Sequence, residues 1–279
     1  MAPTEDARYL QRKACALRRR VIEMVGIGKT GHIGGSCSCA DIVAALYFSE
    51  LNIDPVHPRN PGRDRFILSK GHAALVQYAA LAERGFFPIQ ELERVKTLGS
   101  ILQGHPDLTK TPGVEANTGS LGQGLSIANG IALGARMDGL AFNTFVVLGD
   151  GEINEGQVWE AAMFGAFRKL DHVIAFLDRN GLQAMGPTKE RLDTDPLSKK
   201  WESFGWNVIG IDGHNMEQIL SAIRQAKEYN GRPTIIIAQT VKGKGISFAE
   251  NNPAYHNGSM TKEQYDAAIR ELEAALGAL

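Results

Sequence analysis

Apolar positions recur along this chain with two different periods. Over residues 7–25, Leu10, Ala14, Leu17, Val21 and Met24 alternate in steps of four and three, the spacing of one buried stripe on an α-helix. Arg18, Arg19 and Arg20 are then expected on the wet side of that helix. Elsewhere the pattern changes to short uninterrupted apolar runs, at 65–69, 144–148, 173–177, 206–211 and 233–239. Runs of this length read as parallel strands buried on both faces. Between them lie helical stretches at 38–50, 72–84, from about 89, and up to Met137 in an Ala/Gly-rich segment. Further helices are predicted over 155–169, ending at 201–204, and over 216–229. The 155–169 helix places Val158, Ala161, Ala162, Gly165 and Ala166 on one face. Thr261 and Gln264 form a capping box that opens a final amphipathic helix. Strand and helix alternate throughout, which predicts an α/β fold with a Rossmann-like parallel sheet flanked by helices. Residues 52–63 and 241–259 remain as long loops, and His57 in the first is expected to be solvated.

Composition narrows the class. A chain of 279 residues can bury a full core, and α/β domains of this size are often single units, so 1–279 is expected to form one domain. The net charge of −1 points away from nucleic acid and from a membrane surface as partners. No apolar run approaches the roughly 18 residues of a membrane span. The polar start, with Thr4, Glu5, Asp6 and Arg8, is unlike a signal peptide. Three cysteines, with Cys37 and Cys39 too close for an ordinary disulfide, favour reduced thiols and a cytoplasmic location.

The chemistry gathers at two strand ends. Gly149-Asp150-Gly151 closes the run at 144–148, and Asp178-Arg179-Asn180-Gly181 closes the run at 173–177. Two parallel strands joined by a helix place both loops on the same edge of the sheet, where open α/β folds bind ligands. Asp150 and Asn180 would therefore face one point. A carboxylate, an amide oxygen and a free carbonyl are hard ligands that suit Mg2+ beside phosphate. Glycines there let the backbone approach an anion. Either loop alone would be an ordinary turn; the pairing across a strand-helix-strand unit makes it a site. By contrast, Gly26, Gly28 and Gly31 only imitate a nucleotide loop. A helix rather than a strand precedes them, and Glu23 stands where a P-loop needs its first glycine. His214, in Asp212-Gly213-His214-Asn215, reads as a turn or helix-start residue.

Gly149-Asp150-Gly151 through Asn180-Gly181 resembles the thiamine diphosphate motif. Thr30-Gly31-His32-Ile33-Gly34-Gly35-Ser36, Ser69-Lys70-Gly71-His72, Gly104-His105-Pro106 and the stretch from Thr118 to Leu125 extend the likeness. Together they resemble transketolase. The resemblance implies a Mg2+ ion held by Asp150, Asn180 and the backbone oxygen of Leu182. It implies thiamine diphosphate bound by His72, Gly151, Asn180 and His256, with the Gly119 carbonyl on the aminopyrimidine and Leu121 against its ring. His32 and His105 would contact the hydroxyls of a sugar donor, with His256 serving both cofactor and catalysis. Glu155 would meet the catalytic carboxylate of a partner domain. A neutral imidazole can donate and accept a hydrogen bond, which suits hydroxyl binding and proton transfer. Ser120, where relatives often carry proline, and Ala184, where they carry a bulkier apolar residue, depart from the pattern.

The implied reaction is transfer of a two-carbon ketol unit from a ketose, such as a sugar phosphate, to an aldose. The resemblance covers nearly all of this chain but only the first part of the family's length. The expectation is therefore an N-terminal subunit of a split transketolase. A partner chain would carry the pyrimidine-binding domain, its cofactor-activating glutamate and the C-terminal domain, in an α2β2 heterotetramer. Residues that grip the far end of the sugar would lie mainly on that partner. Two alternatives are an α-subunit of a 2-oxo acid dehydrogenase, which Ser69-Lys70-Gly71-His72 and the Gly-His loops argue against, and a non-catalytic phosphate-binding module. The latter would have little use for several Gly-His loops around a metal motif.

Overall fold

The computed structural model describes residues 5–279; Thr4, from the polar N-terminal stretch, lies outside them. Five parallel strands form the central sheet: β1 (Arg65–Leu68), β2 (Thr144–Gly149), β3 (Val173–Arg179), β6 (Asn207–Asp212) and β7 (Thr234–Gln239). Their order is β1-β2-β3-β7-β6. Between β3 and β6 the chain forms a separate small hairpin, β4 (Leu182–Gln183) with β5 (Gly186–Pro187), and a single helical turn, α7 (Thr188–Arg191). The two-residue alternation of a strand splits the apolar runs between two cores. Phe145, Val147, Ile174 and Phe176 face one cluster; Val146, Leu148, Ala175 and Leu177 face the other.

The first face is covered by α1 (Glu5–Val25), α3 (Ala40–Ala45), α4 (Ala74–Glu83) and α9 (Met216–Glu228), with α10 (Lys262–Ala278) packed on α1. The second is covered by α5 (Gly124–Met137), α6 (Gly156–Phe167) and α8 (Leu197–Ser203). The Rossmann-like reading of the sequence is borne out. The capping box is also present: Thr261 Oγ1 accepts from Gln264 N at 3.2 Å, and Gln264 Oε1 accepts from Thr261 N at 3.0 Å.

Three expectations are corrected. Arg18 is buried rather than wet: its guanidinium pairs with Asp41 and donates to the Cys37 carbonyl at 3.2 Å. The cause is the packing of α3 on α1, which brings a carboxylate onto that side. Arg19 and Arg20 do lie outward, in ion pairs with Glu23. The helix expected over 38–50 begins earlier, as α2 (Ile33–Ser38), is interrupted at Cys39, continues as α3 and ends in a π-helical turn over Leu46–Glu50. Gly34 and Gly35 permit the early start, since a Cβ on Gly34 would sit 3.0 Å from the Lys242 side chain. The helix expected from about residue 89 is a 3-10 turn, Ile89–Arg94.

The glycine triad is indeed no nucleotide loop, because its amides are taken. Gly28 N donates to Met260 O and Gly31 N to Gly258 O, each at 3.0 Å. All three cysteines are buried free thiols. Among the described residues no helix is long and apolar enough to cross a membrane.

Candidate cofactor and active site

Every loop that carries candidate chemistry leaves the C-terminal edge of the sheet. The register sets Gly149 beside Asp178 and Asp178 beside Ala238, so the ends of β2, β3 and β7 are level. A buried ion pair ties them together. Lys70, just past β1, donates to Asp178 Oδ2 at 2.6 Å and to the Gly35 carbonyl at 2.6 Å. Ser38 Oγ donates to the same carboxylate at 2.6 Å, and Thr240 Oγ1 donates to its other oxygen. Burial alone would raise the Asp178 carboxyl; the Lys70 ammonium overrides this and holds it below its ordinary range. Burial likewise opposes the charge on Lys70, but Asp178 more than offsets it.

Removing one member of such a pair strands the other. Lys70→Met is therefore expected to cost about 3–5 kcal/mol of unfolding free energy, read from urea denaturation of the chain. A loss under about 1 kcal/mol would show that the pair contributes no more than an exposed one.

A second buried carboxylate organises the loop before α5. Glu152 accepts from Gly149 N and Gly122 N, both at 2.9 Å, and from the Ser69 hydroxyl. Burial raises its carboxyl, with those donors opposing the shift. The loop so held carries Gly119 and Leu121 to the cavity wall. Gly119 has φ +135°, and a Cβ there would lie 2.6 Å from the His105 ring; only glycine lets the two loops approach this closely.

The expected metal ligands lie around one cavity of about 260 Å3 that Asp150, Asn180 and Leu182 all line. Asp150 Oδ2 accepts from Gly181 N at 2.5 Å, and Asn180 Oδ1 accepts from Leu182 N at 3.1 Å. The Leu182 carbonyl accepts from Lys242 Nζ at 3.0 Å. Asp150 is 5% exposed and has no ion-pair partner within salt-bridge distance among the described residues. Burial, with Asp178 adding to it, raises its carboxyl to about 6. A buried carboxylate without a counter-charge, next to an amide oxygen and a carbonyl already drawing an ammonium, fits a hard divalent cation.

Across the cavity stand the four histidines of the Gly-His loops and the late loop. Ring centroids of His32 and His72 are 5.1 Å apart, His72 and His256 5.1 Å, and His32 and His256 5.4 Å. His105 is farther out, 6.5 Å from His32, and is exposed at the rim. Burial lowers His32 and His256 to about 4 and His72 to about 2. These three imidazoles are thus neutral near pH 7, able both to donate and to accept. His32 Nδ1 is buried without a partner, an unused capacity facing a ligand-sized space. Glu155 caps α6 on the surface, exposed, with its Cβ in the position that a side chain on Gly122 would need.

Lys242, Glu152, Lys70 and Gln183 also belong to this site, and the sequence reading assigns none of them a role in it. Lys242 contacts His256 Nδ1 at 3.0 Å as well as Leu182, and burial lowers its ammonium to about 8. Its place just past a predicted strand is the one signal that points to it. His214 is structural, as expected: Nδ1 faces Asp41 at 2.7 Å and Nε2 accepts from Val241 N at 2.8 Å. His57 is exposed and meets only Asp54, at 2.8 Å.

A parallel sheet whose strand ends offer hard oxygens, an ammonium and glycine-lined backbone is an α/β domain suited to holding a diphosphate through a cation. Comparison with known proteins gives the family. Residues 10–277 match the family model "Transketolase, thiamine diphosphate binding domain". A 6-deoxy-6-sulfo-D-fructose transketolase subunit from Clostridium sp. is 48% identical over 264 residues, covering 95% of this chain and 96% of that protein. One of the two kinds of apulose-4-phosphate transketolase chain, from Phocaeicola vulgatus, is 42% identical over 255 residues, covering 91% and 90%. The crystal structure of transketolase from Campylobacter jejuni superposes with a TM-score of 0.90 at 29% identity, over 99% of this chain but only 43% of that one. The chain belongs to the transketolase family, as a match to its thiamine diphosphate-binding part.

Proposed function

We propose that this chain is the N-terminal subunit of a two-component transketolase, with residues 1–279 forming one diphosphate-binding domain. The carrying observation is the cavity that has Asp150, Asn180 and the Leu182 carbonyl on one side and neutral His72 and His256 on the other. Asp150, Asn180 and Leu182 O would hold Mg2+, displacing Lys242 from the carbonyl. Gly151, His72, Asn180 and His256 would bind the diphosphate of thiamine diphosphate, with Lys242 free to join them. The Gly119 carbonyl and Leu121 would hold the pyrimidine ring. Thiamine diphosphate, when bound, supplies the electron sink for a two-carbon unit.

The chain's own residues would handle the sugar. His32 and His105 bind its hydroxyls from the rim, and His256 is placed to hold or move a proton between hydroxyl and diphosphate. The two similar proteins are named for 6-deoxy-6-sulfo-D-fructose and apulose-4-phosphate. A ketose with a sulfo or phosphate group is accordingly the proposed donor, and an aldose the acceptor.

The pyrimidine-binding domain, its glutamate and the C-terminal domain would come from a partner chain, in an α2β2 heterotetramer. Surface chemistry supports such a partner. Met163, Phe164 and Phe167 on α6 and Met137 on α5 are exposed, and so is Glu155 at the head of α6. Large apolar side chains gathered on one exposed helix are a protein interface feature. Buried free thiols support a reducing, cytoplasmic setting.

His105→Ala in the two-chain enzyme tests the division of labour. Its kcat/KM for the ketose should fall roughly tenfold to a hundredfold, while the Kd for thiamine diphosphate stays within about twofold, because about 1.5–3 kcal/mol of hydroxyl contact is lost only toward the sugar. Equal losses in both would assign His105 to the cofactor. No change in either would remove it from the site.

A further inference from the structure

We infer that Gln183 is a diphosphate-binding residue of this chain, its amide nitrogen donating to the anion beside Gly151. The inference rests on the cofactor reading above and adds a residue that the sequence motifs do not mark. Gln183 lines the cavity, between Leu182 and Ala184 on the same wall. Its Nε2 is buried and has no hydrogen-bond partner. A buried amide N–H left unpaired costs about 1–3 kcal/mol, so a donor held in that condition at a ligand cavity has its partner missing rather than no use for one.

The surrounding structure explains why the side chain stays there. Gln183 sits in β4, paired antiparallel with β5, with Gln183 opposite Gly186. That hairpin sets the side chain across Gly151. A Cβ on Gly151 would lie 2.9 Å from Gln183 Cγ and 3.4 Å from Cδ. The glycine therefore does two jobs: it opens the backbone toward an anion and makes room for the glutamine amide.

The other donors at this end are engaged. Gly181 N is on Asp150, Leu182 N is on Asn180, and Lys242 Nζ is shared between Leu182 O and His256. Gln183 Nε2 is the buried side-chain donor of this wall that remains open. An anion is the partner that fits, because the acceptors nearby already have donors. A carboxamide offers a neutral N–H, which adds a directed hydrogen bond to phosphate without adding charge.

The test is calorimetric titration of the two-chain complex with Mg2+ and three probes: thiamine diphosphate, inorganic pyrophosphate and thiamine. Gln183→Ala should weaken thiamine diphosphate and pyrophosphate alike, by roughly tenfold, the factor for one hydrogen bond to a charged group. Thiamine, which has no phosphate, should bind as to the wild type. Gln183→Glu should weaken both phosphate probes further, because a carboxylate replaces the donor. An unchanged thermal midpoint for both variants would exclude a folding effect. The inference is overturned if Gln183→Ala leaves thiamine diphosphate affinity unchanged, or if thiamine loses as much. It is also overturned if Gln183→Glu binds as tightly as the wild type, since the amide oxygen would then be the end that faces the ligand. A wild-type complex that binds no thiamine diphosphate would refute the cofactor reading itself, a distinct result seen before any variant is made.

Discussion

Asp150→Asn is expected to weaken Mg2+-dependent binding of thiamine diphosphate by about a hundredfold or more, and at the same time to stabilise the cofactor-free chain at neutral pH. Both effects come from one carboxylate. A unit charge within about 4 Å of a cation is worth about 4 kcal/mol at the effective dielectric of a partly buried site, which exceeds the roughly 2.7 kcal/mol of a hundredfold loss. Asparagine keeps an oxygen that can accept from Gly181 N, so the loop geometry between β2 and β3 is preserved.

The stability effect has the opposite sign. The Asp150 carboxyl titrates at about 6 in the fold against an ordinary value of 3.8, so the folded state holds this proton more tightly than the unfolded chain. The penalty for its charge is absent below 3.8, grows between 3.8 and about 6, and is full above that. That difference corresponds to roughly 3 kcal/mol. The variant should therefore melt several degrees higher than the wild type at pH 7, and at nearly the same temperature once the pH is brought down to about the unfolded value. Mg2+ with thiamine diphosphate should stabilise the wild type and leave the variant unmoved. Unchanged cofactor affinity in Asp150→Asn would remove Asp150 from the metal set.

Much of the fold is legible because parallel strands announce themselves. The runs that become β2 and β3 are uninterrupted, and each ends at a polar turn. The crossover helix between them has its apolar residues at helical spacing, and its observed bounds, Gly156–Phe167, lie just inside the expected ones. Asp150 and Asn180 can be placed at one point because strand-helix-strand geometry forces their loops to one edge. Arg18 shows where local pattern fails. A run of three arginines on an amphipathic helix looks solvated, and only the packing of α3 on α1 reveals Asp41 beside it, 23 positions on.

The site residues that the sequence does not mark share a similar cause. Glu152 matters because the Gly122 loop returns to it, across 30 positions. Lys242 matters because β7 lies next to β3, which brings residue 242 to residue 182. Gln183 is held by strands of two residues each, too short to show any periodicity. These are contacts between distant segments, and no local pattern encodes them. The four histidines are recognisable only through their family likeness; spacing alone does not bring residues 32, 72, 105 and 256 together.

On the proposed function, this chain binds one half of a cofactor and depends on another chain for the rest. Two features motivate that dependence. Glu155 and Ser120 stand exposed beside the Gly119 loop at the cavity, and a carbanionic reaction exposed to water loses its reactive centre to protonation. The apolar residues of α6, Met163, Phe164 and Phe167, are also uncovered. The decisive measurement is the rate of two-carbon transfer from a ketose to an aldose, with thiamine diphosphate and Mg2+, by the purified chain alone and after addition of its partner chain. No transfer above background is expected from the chain alone, and with added partner the rate should rise and saturate at equal amounts of the two. Sustained turnover by this chain without any partner would contradict the two-component reading.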